Sequence, residues 1–308
     1  MTTVATLLAA ARRSIPPSEA RLLLGHLLGR NSAWLEAHRD DALEAAAAAQ
    51  FSALVARRAA GEPVAYLTGR REFYGRDFAV TPDVLIPRPE TELLVEIAVE
   101  KVGAGGTAHS ARPSPALTGG ETSCAQGAIR ILDLGTGSGC LAITLALELP
   151  AAQVTAVEAS PRALAVARAN AERLGAKVAF VESDWFAALP PQTFDLIVAN
   201  PPYVAANDPH LGQGDLRFEP ADALTDHADG LTAIRRIVAA APRWLAEGGW
   251  LFFEHGWDQA DAARALLETA GFEAIEQARD LAGIVRMSGG RKPAARAPIA
   301  LVPEANNQ

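Results

Sequence analysis

From Arg130 onward, short apolar runs alternate with amphipathic stretches, and that alternation leaves few folds open. Ile131-Leu132-Asp133-Leu134, Val154-Thr155-Ala156-Val157-Glu158, Val178-Ala179-Phe180-Val181, Phe194 to Ala199 and Trp250 to Glu254 each read as a strand. Helical patterns cover the stretch after 139 through Leu149, 161 to 174, roughly 230 to 245, and 258 to 270. Segments near 273 to 279 and 283 to 288 complete the series. Apolar runs of this length mark strands buried on both faces, and strand-helix alternation implies a mainly parallel sheet with helices on either side. Such sheets bind ligands beyond the carboxyl ends of their strands, so the residues after each strand matter most.

The first strand ends in Asp133-Leu134-Gly135-Thr136-Gly137-Ser138-Gly139. Glycines here let the backbone turn tightly and approach a ligand that a Cβ would exclude. A dinucleotide fingerprint needs its third glycine where this chain has Cys140, and no Gly-Lys-Ser or Gly-Lys-Thr makes a triphosphate loop. An adenosyl ligand without phosphates fits better. Glu158, ending the second strand, can accept both ribose hydroxyls, while Asp133 and the glycine amides face an amino-acid part. After the third strand, Ser183-Asp184-Trp185-Phe186 offers a base site: Trp185 either fills core or flanks an adenine whose amine meets Asp184. That set describes S-adenosylmethionine.

Asn200-Pro201-Pro202-Tyr203 follows the fourth strand. Each proline fixes φ and donates no hydrogen bond, so the turn is stiff and rich in acceptors. The Asn200 side-chain oxygen and the Pro201 carbonyl can take the two hydrogens of a planar NH2, with the Tyr203 ring against its plane. A carboxamide and an exocyclic base amine both present such a group.

Residues 1 to 60 read as a small helical bundle, with Val4, Leu7, Leu8 and Ala11, then Ala20, Leu23, Leu24, Leu27 and Leu28, at helical spacing. His26 and Trp34 in it read as packing residues. Residues 61 to 88 suggest a β-hairpin linker, from Val64-Ala65-Tyr66-Leu67-Thr68-Gly69 through Arg76-Asp77-Phe78-Ala79-Val80. The main domain is expected over 89 to 290, with a flexible insertion at 103 to 127 and a loose tail from 291 to 308. A net charge of -8 argues against general adhesion to nucleic acid. Two cysteines without metal-ligand company, and no apolar run of membrane-spanning length, read as a cytoplasmic protein with neither metal nor membrane anchor.

With these motifs together, the chain resembles the HemK/PrmC release factor glutamine methyltransferases from its helical N-terminus to about residue 288. Tyr66-Leu67-Thr68-Gly69, Leu85-Ile86-Pro87-Arg88-Pro89-Glu90-Thr91-Glu92, the glycine turn, Ser183-Asp184-Trp185-Phe186, Asn200-Pro201-Pro202-Tyr203 and Arg217-Phe218-Glu219-Pro220 carry the resemblance. It implies a Rossmann-like class I methyltransferase sheet of seven strands and an N-terminal helical domain that helps hold the substrate. The implied reaction moves a methyl group from S-adenosylmethionine to N5 of the glutamine in the Gly-Gly-Gln loop of peptide chain release factors, leaving S-adenosylhomocysteine. Asn200, Pro201 and Tyr203 would carry catalysis. Pro202, Arg217, Phe218 and Glu219 would line the acceptor mouth, and Asp133, Gly135, Thr136, Gly137, Ser138, Gly139, Glu158, Asp184, Trp185 and Asn200 would hold the donor. Two features depart from the pattern: Glu158 stands where Asp is more usual, and the 103 to 127 insertion is long. Adenine-N6 methylation of DNA or RNA, methylation of a ribosomal-protein glutamine, and a non-catalytic module that contacts translation factors are the competing readings.

Overall fold

The computed structural model describes residues 2–103 and 127–294. The first sixty residues become helices for reasons visible at their ends. Thr3 and Thr6 form a capping box that starts α1 (Val4–Ala11). Pro17 opens α2 (Pro17–Leu28), and Gly29 closes it at φ 64°. Asn31 accepts the Trp34 amide to cap α3 (Ser32–Ala37), and α4 (Ala45–Ala59) follows. Their apolar faces meet over Val4, Leu23, Leu24, Leu35 and Phe51, all buried. Trp34 packs at the margin of this core, stacked on His38 at 4.1 Å.

The linker differs from its sequence pattern at one point. Val64 to Thr68, expected as β-structure, is a short helix (α5, Val64–Thr68) that starts after Pro63 and stops at Gly69, φ 70°. Leu67 from this helix is buried in the bundle core, and that tertiary contact outweighs the β-propensity of the segment. The hairpin itself is β1 (Arg70–Phe73) and β2 (Arg76–Ala79), joined through Tyr74 and Gly75, both at positive φ. A single 3-10 turn over Pro89–Thr91 leads into α6 (Glu92–Val102), with Pro89 at its start.

Beyond residue 127 the chain runs β3 (Arg130–Leu134), α7 (Cys140–Glu148), β4 (Gln153–Glu158), α8 (Pro161–Leu174), β5 (Val178–Glu182) and β6 (Phe194–Ala199). It continues through α9 (Ala221–Leu224), α10 (Thr232–Trp244), β7 (Leu245–Glu254), α11 (Ala260–Thr269), β8 (Glu273–Arg279) and β9 (Val285–Arg291). The seven strands lie in the order β5-β4-β3-β6-β7-β9-β8, parallel except for β9, which is antiparallel to both neighbours. Alternate residues enter opposite cores: Ile131, Leu196 and Phe252 pack with Leu94, Val95 and Leu145 on one face, and Leu132, Ile197 and Phe253 with Ile234 and Ile237 on the other. That is the doubly covered sheet the apolar runs predict. β7 begins earlier than its apolar stretch because the pairing slips between Phe194↔Leu245 and Leu196↔Trp250, where Gly248 and Gly249 lie.

The chain reverses direction across the sheet between β3 and β6, so a crevice opens where their ends part. Leu134 pairs with Val157 on one side and Ala199 on the other, which brings the turns after β3, β4 and β6 out at one level. The loop after β6 also reaches the bundle. Arg58 of α4 pairs with Glu19 at 2.7 Å and with Asp215 at 2.8 Å, and Arg217 donates to the Ala60 carbonyl. Apart from its end residues, the insertion expected at 103 to 127 lies outside the described residues, as does the tail beyond 294. Arg291 still belongs to β9, and the Lys292 amide donates to the Gly249 carbonyl at 2.8 Å. Among the described residues no helix is long and apolar enough to cross a membrane.

Candidate active site

A cavity of about 390 Å³ opens at the switch point. Gly135, Gly137, Glu158, Asp184, Trp185, Asn200 and Pro202 line it from the sheet, Pro82 to Leu85 from the linker, and Pro220, Asp222 and Ala223 from the loop after β6. The cavity thus joins three parts of the chain.

The glycine turn is fastened by its own surroundings. Gly135 and Thr136 amides both donate to the Val157 carbonyl at 2.9 Å, and the Gly137 amide donates to Glu158 Oε2 at 2.9 Å. Gly135, at φ 75°, sits under the Trp185 ring: a Cβ there would lie 3.4 Å from the indole. Trp185 itself holds φ 51°, a conformation that non-glycine residues seldom adopt, so its ring is aimed into the cavity at some backbone cost. Thr136, Ser138 and Gly139 belong to the turn without lining the cavity. Gly139 instead keeps α7 close to its neighbour, since a Cβ there would meet Ile143 at 2.7 Å and Ala167 at 3.2 Å.

Asp133 is wholly buried beneath the turn. Its Oδ2 accepts the Thr136 hydroxyl at 2.6 Å and the Ala142 amide at 3.2 Å, while Oδ1 has no partner. Burial pushes its carboxyl up to about 7, against the pull of those two hydrogen bonds. Asp133 therefore braces the glycine turn from below and leaves one buried acceptor open.

Electrostatics narrow the ligand further. Arg162 pairs with Asp83 at 3.2 Å, Arg236 with Asp184 at 2.8 Å, and His227 with Asp222 at 2.6 Å. Glu158 is the lining carboxylate held by amides alone, Gly137 on one oxygen and Ser160, at 3.0 Å, on the other. Among the described residues the lining has no cation free of a carboxylate partner for a phosphate to meet. It suits a neutral or positively charged ligand with a diol near Glu158, which is the chemistry of an adenosyl sulfonium.

At the end of β6 the corner is held from behind. Asn200 Nδ2 donates to the Thr91 hydroxyl at 3.1 Å, Thr91 donates to Glu254 Oε2 at 2.6 Å, and the Tyr203 hydroxyl donates to Glu254 Oε1 at 2.9 Å. Gln259 Nε2 donates to the Tyr203 carbonyl at 3.0 Å. Among the described residues no donor reaches the Asn200 side-chain oxygen or the Pro201 carbonyl. Burial raises the Tyr203 phenol well above its usual value, with the Glu254 charge acting the same way, so it stays a donor. The Tyr203 ring packs on the core below the sheet rather than lining the cavity.

The residues expected at the acceptor mouth have other partners. Glu219 is buried, with Oε2 accepting the Ile86 amide at 2.9 Å and Oε1 the Arg88 guanidinium. Arg217 reaches the bundle and covers the Phe218 ring at 5.0 Å. Glu219 and Arg217 fasten the loop to the linker and bundle, with the adjoining Pro220 on the cavity wall. His255 is buried and held by the Gly256 carbonyl and the Ser288 hydroxyl, both at 2.9 Å, a structural arrangement.

Comparison with known proteins agrees with this geometry. Residues 1–69 match the PrmC N-terminal domain and residues 123–215 the methyltransferase small domain. The release factor glutamine methyltransferase of Bordetella pertussis is 53% identical over 277 residues, covering 90% of this chain and 95% of that protein. The chain belongs to the release factor glutamine methyltransferases. A second member, from Burkholderia pseudomallei, is 51% identical over 282 residues, covering 89% of this chain and 92% of that one. The fold is shared more widely: the human Mettl16 catalytic domain, solved in complex with MAT2A 3'UTR hairpin 6, is 16% identical, with a TM-score of 0.52 over 77% of this chain and 81% of that one.

The sequence pattern gives Thr91 no site role, and Glu254-His255-Gly256 at the end of its strand reads there as structural rather than catalytic. Thr91 lies inside a marker motif and Glu254 ends an apolar strand, where a carboxylate is out of place unless it has work at the strand's end. That misfit was the available signal.

Proposed function

We propose that this chain methylates the side-chain amide nitrogen of the glutamine in the Gly-Gly-Gln loop of peptide chain release factors, with S-adenosylmethionine as donor. The observation that carries the reading is a pair of acceptors without a donor among the described residues, Asn200 Oδ1 and the Pro201 carbonyl, on a rigid corner beside the cavity that Asn200 lines. Glu158 would accept the ribose hydroxyls, Trp185 would lie against the adenine, and the Gly135 to Gly139 turn would face the amino-acid end. Bound there, the donor supplies a methyl carbon on positively charged sulfur.

An amide nitrogen is a weak nucleophile because its lone pair is delocalised into the carbonyl. Two acceptors holding its hydrogens orient the nitrogen and raise its electron density, while Tyr203 and Pro202 fix the corner around it. The nitrogen–carbon bond forms as the carbon–sulfur bond breaks, and the amide proton departs to water afterwards, so a dedicated base is not required. Positioning and local electrostatics carry the rate. The bundle and the loop it grips would hold the rest of the factor, in the cytoplasm, without stable nucleic-acid binding.

The test is to incubate the pure protein with methyl-labelled donor and, separately, a release factor, a ribosomal protein and DNA. Label on the loop glutamine supports the reading. Label on DNA adenine or on the ribosomal protein alone would replace it.

A further inference from the structure

Glu254 is an expensive residue to keep where it stands. It is 1% exposed, among the described residues no cation lies within ion-pairing distance, and burial pushes its carboxyl above the usual range, with the more distant Arg286 charge pulling the other way. A buried carboxylate without a counterion costs several kcal/mol, and an apolar side chain of similar volume would serve stability better. What the ionised carboxylate offers is hydrogen-bond polarity: in that form it only accepts.

With Glu254 ionised, the proton count along the chain of contacts has one solution. Both Glu254 oxygens take hydroxyl protons, one from Thr91 and one from Tyr203. A threonine hydroxyl has a single proton, so Thr91 turns a lone pair toward Asn200. Asn200 must answer with its NH2, which points its carbonyl oxygen the other way. Freed from Glu254, Thr91 could donate to Asn200 instead; the amide would turn over and meet the acceptor's NH2 with its own.

We propose that Glu254, acting through Thr91 and Tyr203, is a positioning residue that fixes which way round the Asn200 amide faces the acceptor. This rests on the carboxamide reading above. It also makes the 3-10 turn after the linker part of the site, because Thr91 ends the segment that the Arg88–Glu219 pair clamps to the loop.

The experiment compares Thr91→Val, Thr91→Ser and Glu254→Gln with wild type, by steady-state methylation of a release factor and calorimetric titration of the donor. Thr91→Val keeps the shape and loses the hydroxyl; kcat is expected to fall roughly 10- to 100-fold at unchanged donor affinity, as for a misplaced group. Thr91→Ser should recover most of that loss, and Glu254→Gln, which keeps one acceptor oxygen for the two hydroxyls, should fall between Thr91→Ser and Thr91→Val. Rates are corrected for the folded fraction from thermal melts, so a purely structural role would show as a lower Tm with kcat intact. That result, or a Thr91→Ser variant as slow as Thr91→Val, or donor affinity falling in parallel, would overturn the inference. A wild type inert toward the glutamine would bring down the carboxamide reading itself, and this inference with it.

Discussion

The two halves of the crevice are built by opposite means. The half proposed for the donor is local: the glycine turn, Glu158 and Ser160 lie within or just after one strand-helix-strand unit and fasten to one another through backbone amides. The acceptor half is assembled from afar, since Asn200 meets Thr91 across 109 positions and Thr91 meets Glu254 across 163. A site for a small invariant ligand can be encoded in a short stretch. A corner that must hold one amide orientation draws on side chains that only the finished sheet brings together.

If the division is right, substitutions in one half leave the other's task alone. Asn200→Ala should lower kcat about 10²- to 10³-fold, the cost of losing one well-placed polar contact at a reacting group. Donor affinity measured by calorimetry should hold steady; a parallel loss would merge the halves.

Asp133 sharpens the donor half through pH. Its folded-state carboxyl sits near 7 against an ordinary 3.8, so the folded protein holds the proton more tightly than the unfolded chain. That contribution is present at low pH and is lost as pH rises through about 7. Urea unfolding of the ligand-free protein should therefore show Asp133→Asn gaining about 2 to 3 kcal/mol relative to wild type between pH 5 and 7.5. A pH-independent difference would mean that Asp133 is not held under strain by its burial.

Glu158→Ala should weaken the donor by about 1 to 3 kcal/mol, seen as a larger Kd, with turnover at saturating donor little changed. No change in Kd would move the ribose elsewhere. The smallest effect is expected from Arg58→Ala, which unties the bundle from Asp215 and loosens Glu19 within it. KM for an intact factor should rise a few-fold, about 1 kcal/mol or less, while a short loop peptide is turned over as before. Equal effects on both substrates would remove the bundle from substrate holding.

The same division explains what could be read in advance. The strand-helix alternation, the glycine turn, Glu158 and the Asn200 corner were legible because each is a short pattern with a mechanical meaning. The helix over Val64–Thr68 was not, because Leu67 follows the bundle core rather than its own propensity. Glu219 is expected at the acceptor mouth, yet its carboxylate is taken by the Ile86 amide and Arg88 from more than a hundred residues away. Thr91 and Glu254 carry no local sign of each other. Pattern reading reaches as far as contacts stay close along the chain.

The position of Glu254 at the end of β7 bears on anyone who would move this chemistry elsewhere. Grafting Asn-Pro-Pro-Tyr onto another doubly wound sheet transfers the acceptors but not their bearing. The graft would also have to carry a hydroxyl from an upstream turn and a carboxylate from the neighbouring strand. Without them the transplanted asparagine is free to spin, and half of its orientations repel the guest it was imported to seize.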